Sequence, residues 1–543
     1  MKSLVTLALV LLSFCCLGQE SKVLLSQLME EILLSDKENY SISVGKVSTE
    51  NLPVLENQWG EKEKQSIGKF LSYQYPKMPL DSTGYLIIDK TISIKIAEVD
   101  NLEISNLNIN TLKLTIDYAQ NLILKNCRID NLILTINQLE NHAWLLDNHL
   151  VSSSIKTSSN DYNSMFWLHS NILDNVTVSI DGLSSLELIN NSFALHKKEI
   201  DASDSAYFKI NQQLLDYNDT PNSLWLNCQN VKNVIIWKNY NIKNVEEYEF
   251  DALSLTGEVE NLKILENSIY LPLQFIDLTI TKRLEIIKNE FMGFKALGLY
   301  RALFPELLIN IDWKQFQHKV YILTDASQNE THDGFARFGT VPYFGEALEE
   351  MQFHDRCRAL FDAYSKFYNH YRNSGDIEAA NAVYRELQDL HTLRYKYLAS
   401  NNPDVKSIFR WRLNQLISYY TGYGTDPVKA IIISIYIIMG FAIFYFFFPS
   451  EWDKESKLKT LSNLKTALAR DKKSFFKPLI RSFYFMTISL INAITLSLNS
   501  FVTLGFGSIP TKGIARYVCI IQGFIGWFLL SLFLVSLFNQ VDF

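Results

Sequence analysis

Cysteine is scarce in this chain, six in 543 residues, and two of the six, Cys15 and Cys16, fall within the first sixteen positions. The remaining four, Cys127, Cys228, Cys357 and Cys519, make no Cys-x-x-Cys pair and no Cys/His zinc spacing, so they read as packing residues. His354, His370 and His391 fall in no His-Glu-x-x-His arrangement, which removes a zinc hydrolase from consideration. Positive charge is also lacking: the net charge is −7, and no basic aromatic stripe is present, which argues against a general nucleic-acid binder.

Apolar residues make up 48% of the chain, as soluble domains joined to a small membrane part would require. Ala430 to Phe448 is nineteen residues without a charge, and Tyr517 to Phe538 is also uncharged. Each is long enough to cross a bilayer, which takes about 20 apolar residues. At the start, Met1-Lys2-Ser3 precedes an apolar run from Leu4 to Gly18, the pattern of a secretory signal peptide over residues 1–19. No small residue stands just before Cys15 or Cys16 in the way a lipoprotein signal needs.

A cap region is expected over residues 20–84, where Val23, Leu24, Leu28, Ile32 and Leu33 recur at helical spacing. From Gly84 the apolar period changes to two, as in strands. A repeat then sets in, two alternating apolar residues followed by Asn: Asn106, Asn126, Asn148, Asn171, Asn191, Asn211, Asn239, Asn267 and Asn289. Steps of 20 to 28 residues with short strands and a recurring Asn indicate a solenoid. The helical half of a leucine-rich repeat is missing, so an irregular right-handed parallel β-helix is expected over 85–293. Cys127 and Cys228 then lie about five coils apart, roughly 24 Å at ~4.8 Å per strand, beyond disulfide reach.

Because β-helices host polysaccharide-cleaving enzymes, paired carboxylates matter. Asp130 and Asp174 follow the Asn line but are not on neighbouring turns, and they read as solvated turn residues. Trp144, Trp167, Trp225 and Trp237 are candidate glycan contacts or core residues. No catalytic residue and no resident metal or cofactor is assigned, and the chain is not read as an enzyme.

Residues 294–400 are expected to be helical, with an antiparallel hairpin similar to one tetratricopeptide unit, Met351–Arg372 and Ile377–Leu398, broken by Asn373-Ser374-Gly375-Asp376. The segment 401–429 sets aromatics beside arginines, the mark of a membrane interface, and ends with Asp426 and Pro427 placed to start a helix. Its Gly422-Tyr423-Gly424 precedes the first span and reads as a turn. A transmembrane helix over 430–448, a basic linker over 449–474, a pore helix and filter loop over 475–514 and a second transmembrane helix over 515–539 complete the chain.

The pore reading rests on Thr503-Leu504-Gly505-Phe506-Gly507, with Pro510 three residues on and a glycine-bearing helix behind. Non-helical backbone is tolerated at membrane depth only where it lines a cavity or is buried in protein. With these residues the region from Ala430 to Asn539 resembles the pore domain of the two-transmembrane-helix potassium channels. The resemblance implies a homotetramer in membrane lipid, with K+ as permeant ion, in which Thr503 to Gly507 turn their carbonyls to the axis. It further implies filter support from Ser497, Asn499, Ser500, Ser508 and Pro510, and a gating hinge at Gly523 or Gly526. Ser508 and Asn499 depart from the acidic residues the family often has there.

Lysines and arginines crowd the linker from Pro449 to Arg481, and positive residues stay cytoplasmic. The amino-terminal domains are therefore expected outside a bacterial inner membrane, in the periplasm, with the re-entrant loop entering from the cytoplasm and the tail from Asn539 outside; a third full span over Phe475 to Leu498 would instead move the tail inside. In this reading the solenoid binds or senses an unknown ligand and biases the pore. A second expectation, from another class, is a membrane-anchored β-helix protein that binds or cleaves polysaccharide without conduction.

Overall fold

The computed structural model describes residues 22–48, 86–160, 162–193, 224–241, 252–269, 272–292, 354–448, 476–503 and 513–538, with short pieces between them. The chain divides into two compact units, 1–374 and 375–543.

The first unit is a parallel β-solenoid. Its strands stack coil on coil in register, and every named pairing in the main sheet is parallel. Alternation along each strand sends every second side chain inward. One inward column runs Leu102, Leu122, Ala143, Phe166, Leu186, Val234, Leu262 and Leu284, all buried. The core is thus a set of aliphatic stacks, which explains why Leu, Ile, Val and Ala exchange freely among coils.

At one corner of each coil the Asn line becomes a buried ladder. Asn148, Asn171, Asn191, Asn239 and Asn267 each donate from the backbone N–H to the side-chain oxygen of the next ladder residue, at 2.8–3.0 Å. Their side-chain amides reach that same oxygen and also donate to a carbonyl of the preceding coil. Gln315 closes the series by accepting from Asn289. The residue before each ladder position is left-handed, from Asp147 (φ 55°) to Lys288 (φ 55°).

Two expectations are corrected here. Asn106 and Asn126 are left-handed residues (φ 59° and 51°), one place before the ladder, and Cys127 holds the ladder position, its N–H bonded to Asn148 at 2.9 Å. Asn191 bonds directly to Asn239, so no coil at Asn211 intervenes; Asn211 itself lies outside the described residues.

Both ends of the solenoid are closed by helices. Near the start, α1 (Leu25–Leu34) buries Leu25, Leu28, Met29, Ile32 and Leu33. Lys90 donates to the carbonyls of Ile32 and Ser35 at its end. At the far end, α2 (His354–Asn373) sets Tyr364, Phe367 and Tyr371 around Trp313, and the Tyr371 hydroxyl donates to the Ile311 carbonyl at 2.6 Å.

Among the described residues the second unit is built of helices: α3 (Ile377–Asn401), α4 (Val405–Thr421), α5 (Pro427–Phe446), α6 (Phe476–Thr503) and α7 (Ile514–Phe538). Both helices of the expected hairpin form, but α2 belongs to the solenoid unit and α3 to this one. Asp376 caps α3 through the Ala379 N–H, and Asp426 caps α5 through the Lys429 N–H, with Pro427 in the first turn. Gly422, Tyr423 and Gly424 are all left-handed, the turn the sequence indicates.

Among the described residues three helices are long and apolar enough to cross a membrane: Pro427–Phe446, Leu479–Thr503 and Ile514–Phe538. The second is longer than the expected short pore helix. No Gly or Pro interrupts Leu479 to Thr503, so nothing in the sequence stops the helix earlier.

Candidate pore-lining site

The stretch Leu504, Gly505, Phe506, Gly507, Ser508 and Pro510 lies outside the described residues, and the site is defined by the helices on either side of it. Thr503 is the last residue of α6, and α7 starts after Gly513 (φ 66°).

The last third of α6 packs between α5 and α7, and Ser482 and Ser489 are buried earlier in the helix. The buried positions of that last third are Ala493, Leu496, Ser497, Ser500 and Phe501, spaced as one face of a helix. Ala493 and Leu496 cluster with Tyr445, Ala515 and Cys519, and Phe501 clusters with Tyr420, Ala430 and Leu529. These two levels fix the chain directions. From the first cluster to the second, α5 runs backward from 445 to 430, whereas α6 and α7 both run forward, 493 to 501 and 519 to 529. Consecutive helices α6 and α7 therefore point the same way, and both oppose α5.

A polar network ties the three helices together. Gln522 is fully buried in α7; its amide nitrogen donates to the Ser497 carbonyl (3.0 Å) and hydroxyl (2.7 Å), and its oxygen accepts from the Tyr445 hydroxyl at 2.8 Å. Ser497 in turn donates to the Ile438 carbonyl at 2.7 Å, and Ser500 to the Cys519 carbonyl at 2.6 Å. Such bonds between helices in an apolar medium fix register, since an unbonded polar group there is costly. Ser497 and Ser500, expected as filter support, thus anchor α6 to its neighbours. Gln522 and Tyr445 were not singled out by sequence; the signal was a lone amide in a 25-residue apolar helix.

The opposite face of α6 is exposed and partly polar. Thr495, Asn499 and Thr503 recur at intervals of four along it, with Thr503 donating to the Asn499 carbonyl at 2.6 Å. On α7, Gly523 and Gly526 are buried within an unbroken helix. A Cβ on Gly526 would stand 2.1 Å from the Phe501 carbonyl oxygen, so this glycine is a point of backbone contact between α6 and α7.

The other sequence candidates are on the solenoid. Trp144 and Trp167 stack at 4.9 Å on adjacent coils, with His142 stacked on Trp167. Trp225 is half-buried, and exposed Trp237 donates to Glu266. Asp130 and Asp174 are separated by the intervening strand that carries Val151. The neighbouring His149 has its pKa lowered, first by burial and then by Arg128, so it is neutral at pH 7. Among the described residues no group of His, Cys, Asp or Glu is arranged to hold a metal ion.

Compared with known proteins, the chain matches no protein-family model, no curated protein and no solved structure.

Proposed function

We propose that the protein is a membrane cation channel, potassium-conducting, with the β-solenoid as an extracytoplasmic sensory or binding domain. The observation that carries this reading is the shared direction of α6 and α7. Two consecutive helices joined by ten residues, Leu504 to Gly513, point the same way, so the connecting chain has to return toward the level where α6 entered the bundle. From Ala493 to Phe501, the two levels at which the helices cluster, α6 rises about 12 Å at 1.5 Å per residue, and ten residues reach up to ~33 Å. Helix in, chain back, helix across is the connectivity of a re-entrant loop, and Leu504-Gly505-Phe506-Gly507 belong to the connecting ten residues, directly after Thr503 at the end of α6.

The polar face of Thr495, Asn499 and Thr503 supports the same reading. A polar stripe on a membrane helix faces a water-filled cavity or another protein surface rather than lipid. In a four-fold assembly it lines the approach to the filter, where the carbonyls of Thr503 to Gly507 replace the ion's hydration shell.

Opposed directions for α5 and α7 leave the two chain ends of this region on one side. The linker cations (Lys454, Lys457, Lys459, Lys465, Arg470, Lys472, Lys473, Lys477 and Arg481) put the linker in the cytoplasm and the solenoid outside. Potassium efflux from proteoliposomes containing the full chain tests the function. Efflux that disappears in Gly505→Ala supports a filter. Absence of efflux under every ionic and lipid condition leaves a membrane-anchored solenoid that does not conduct.

A further inference from the structure

We propose that α4 is an in-plane helix that binds anionic phospholipid headgroups at the membrane surface where α5 begins. Its outer face carries Val405 (82% exposed), Phe409 (64%), Leu416 (41%) and Tyr419 (68%). These positions fall within one sector of the helix at spacings of four, seven and three, an exposed apolar stripe that Arg412 enters between Phe409 and Leu416 and over whose last ring, Tyr419, the Lys429 ammonium lies at 5.8 Å. The helix contains Lys406, Arg410 and Arg412 and no acidic residue. All three cations are exposed, and Arg412 lies over the Trp411 ring at 4.1 Å.

Apolar stripe and cations together select the occupant. An aqueous neighbour does not account for three bulky apolar side chains more than half exposed, and a protein partner does not require an all-cationic complement. A bilayer with anionic headgroups satisfies both: the stripe enters the headgroup–acyl boundary while guanidinium and ammonium groups meet phosphate. The helix is also held where such a surface must be. Five residues separate it from α5, the Tyr420 hydroxyl is 2.7 Å from the Ser434 hydroxyl about two turns into that span, and Tyr423 in the turn donates to Asp389 of α3 at 2.8 Å. A headgroup bound on α4 is therefore mechanically joined to the first membrane helix. The inference rests on the three apolar helices lying in a membrane and not on conduction.

The test uses the full chain in nanodiscs, with nitroxide labels at Phe409→Cys and, separately, Leu416→Cys. Both labels are expected to be reached by oxygen in preference to a water-soluble nickel chelate, whereas a label at Asn401→Cys shows the reverse. Preferential contact with the nickel chelate at 409 and 416, shielding from both agents, or dipolar broadening between copies each overturns the proposal. The lipid arm compares Lys406→Gln/Arg410→Gln/Arg412→Gln with the natural chain in discs containing about one third phosphatidylglycerol. Enrichment of phosphatidylglycerol over phosphatidylcholine around the protein is expected to fall by about tenfold or more. Unchanged enrichment overturns the headgroup assignment, and so does equal stabilisation by inorganic phosphate without lipid. Neither arm reads ion flux, so failure here is distinct from failure of the channel reading.

Discussion

An asparagine one residue past a left-handed turn can bond both ways along a solenoid axis, because its side-chain oxygen and nitrogen then lie beside the amides of two coils. Asn239 shows what this contributes. Its oxygen accepts from both the backbone and the side chain of Asn191, and its nitrogen donates to Leu188 and Asn267. Asn239→Ala leaves the buried Asn191 N–H without its acceptor, a loss of about 1–3 kcal/mol, which is expected as an earlier denaturation midpoint of the β signal in circular dichroism. The same residue type explains where the sequence misled. Asn is tolerated both in the left-handed place and in the ladder place, so Asn106 and Asn126 looked like ladder members and are their neighbours. Cys127 makes a further residue-scale prediction. Burial pushes its thiol up to about 12, as it does for Cys228. The thiolate is the reactive form, so at pH 8 only ~10⁻⁴ of each thiol is available. Labelling of Cys127 and Cys228 in the folded protein is expected to be negligible at pH 8 and to increase about tenfold per pH unit until it unfolds; fast labelling of either at neutral pH contradicts the buried placement.

Among the elements, α6 was the least legible. Its buried face was written in Ala493, Leu496, Ser497, Ser500 and Phe501, but its length was not, because residues 476–492 read equally as approach segment or span. Propensity alone continues a helix until a breaker, and the next glycine is Gly505. Its contact with α7 depends on a feature that no periodicity reports, the bare backbone at Gly526. Gly526→Ala is expected to force α6 and α7 apart and to lower the melting temperature in detergent by several degrees, since a Cβ there meets backbone that has no rotamer to move. Gly440→Ala in α5 meets nothing within 4 Å and is expected to be neutral or slightly stabilising. Equal melting temperatures for the two variants contradict the close approach.

At the scale of the whole chain, the change from two-residue alternation to helical spacing and long apolar runs was legible from period, but the solenoid's limits were not. Parallel strands lie at Asn39–Ser48, before the expected start, and, each too short to show a period, at Leu297–Tyr300, Ile309–Ile311 and Val320–Ile322, within the region expected to be helical. Directions of helices were not legible either, since they are set by which faces pack. Those directions now carry the topology. If α5 and α7 cross and α6 enters and returns, a reporter enzyme fused after Phe543 is active only outside the cytoplasm. Three full crossings put it inside, and cytoplasmic activity of the fusion contradicts the re-entrant arrangement. Conduction itself is tested most directly by recording the purified full chain in a planar bilayer with potassium on one side and sodium on the other. The account predicts discrete unitary currents whose reversal potential shows potassium passing in strong preference to sodium and which vanish in Gly505→Ala. A bilayer that stays silent, or unitary currents that persist unchanged in that variant, would contradict it.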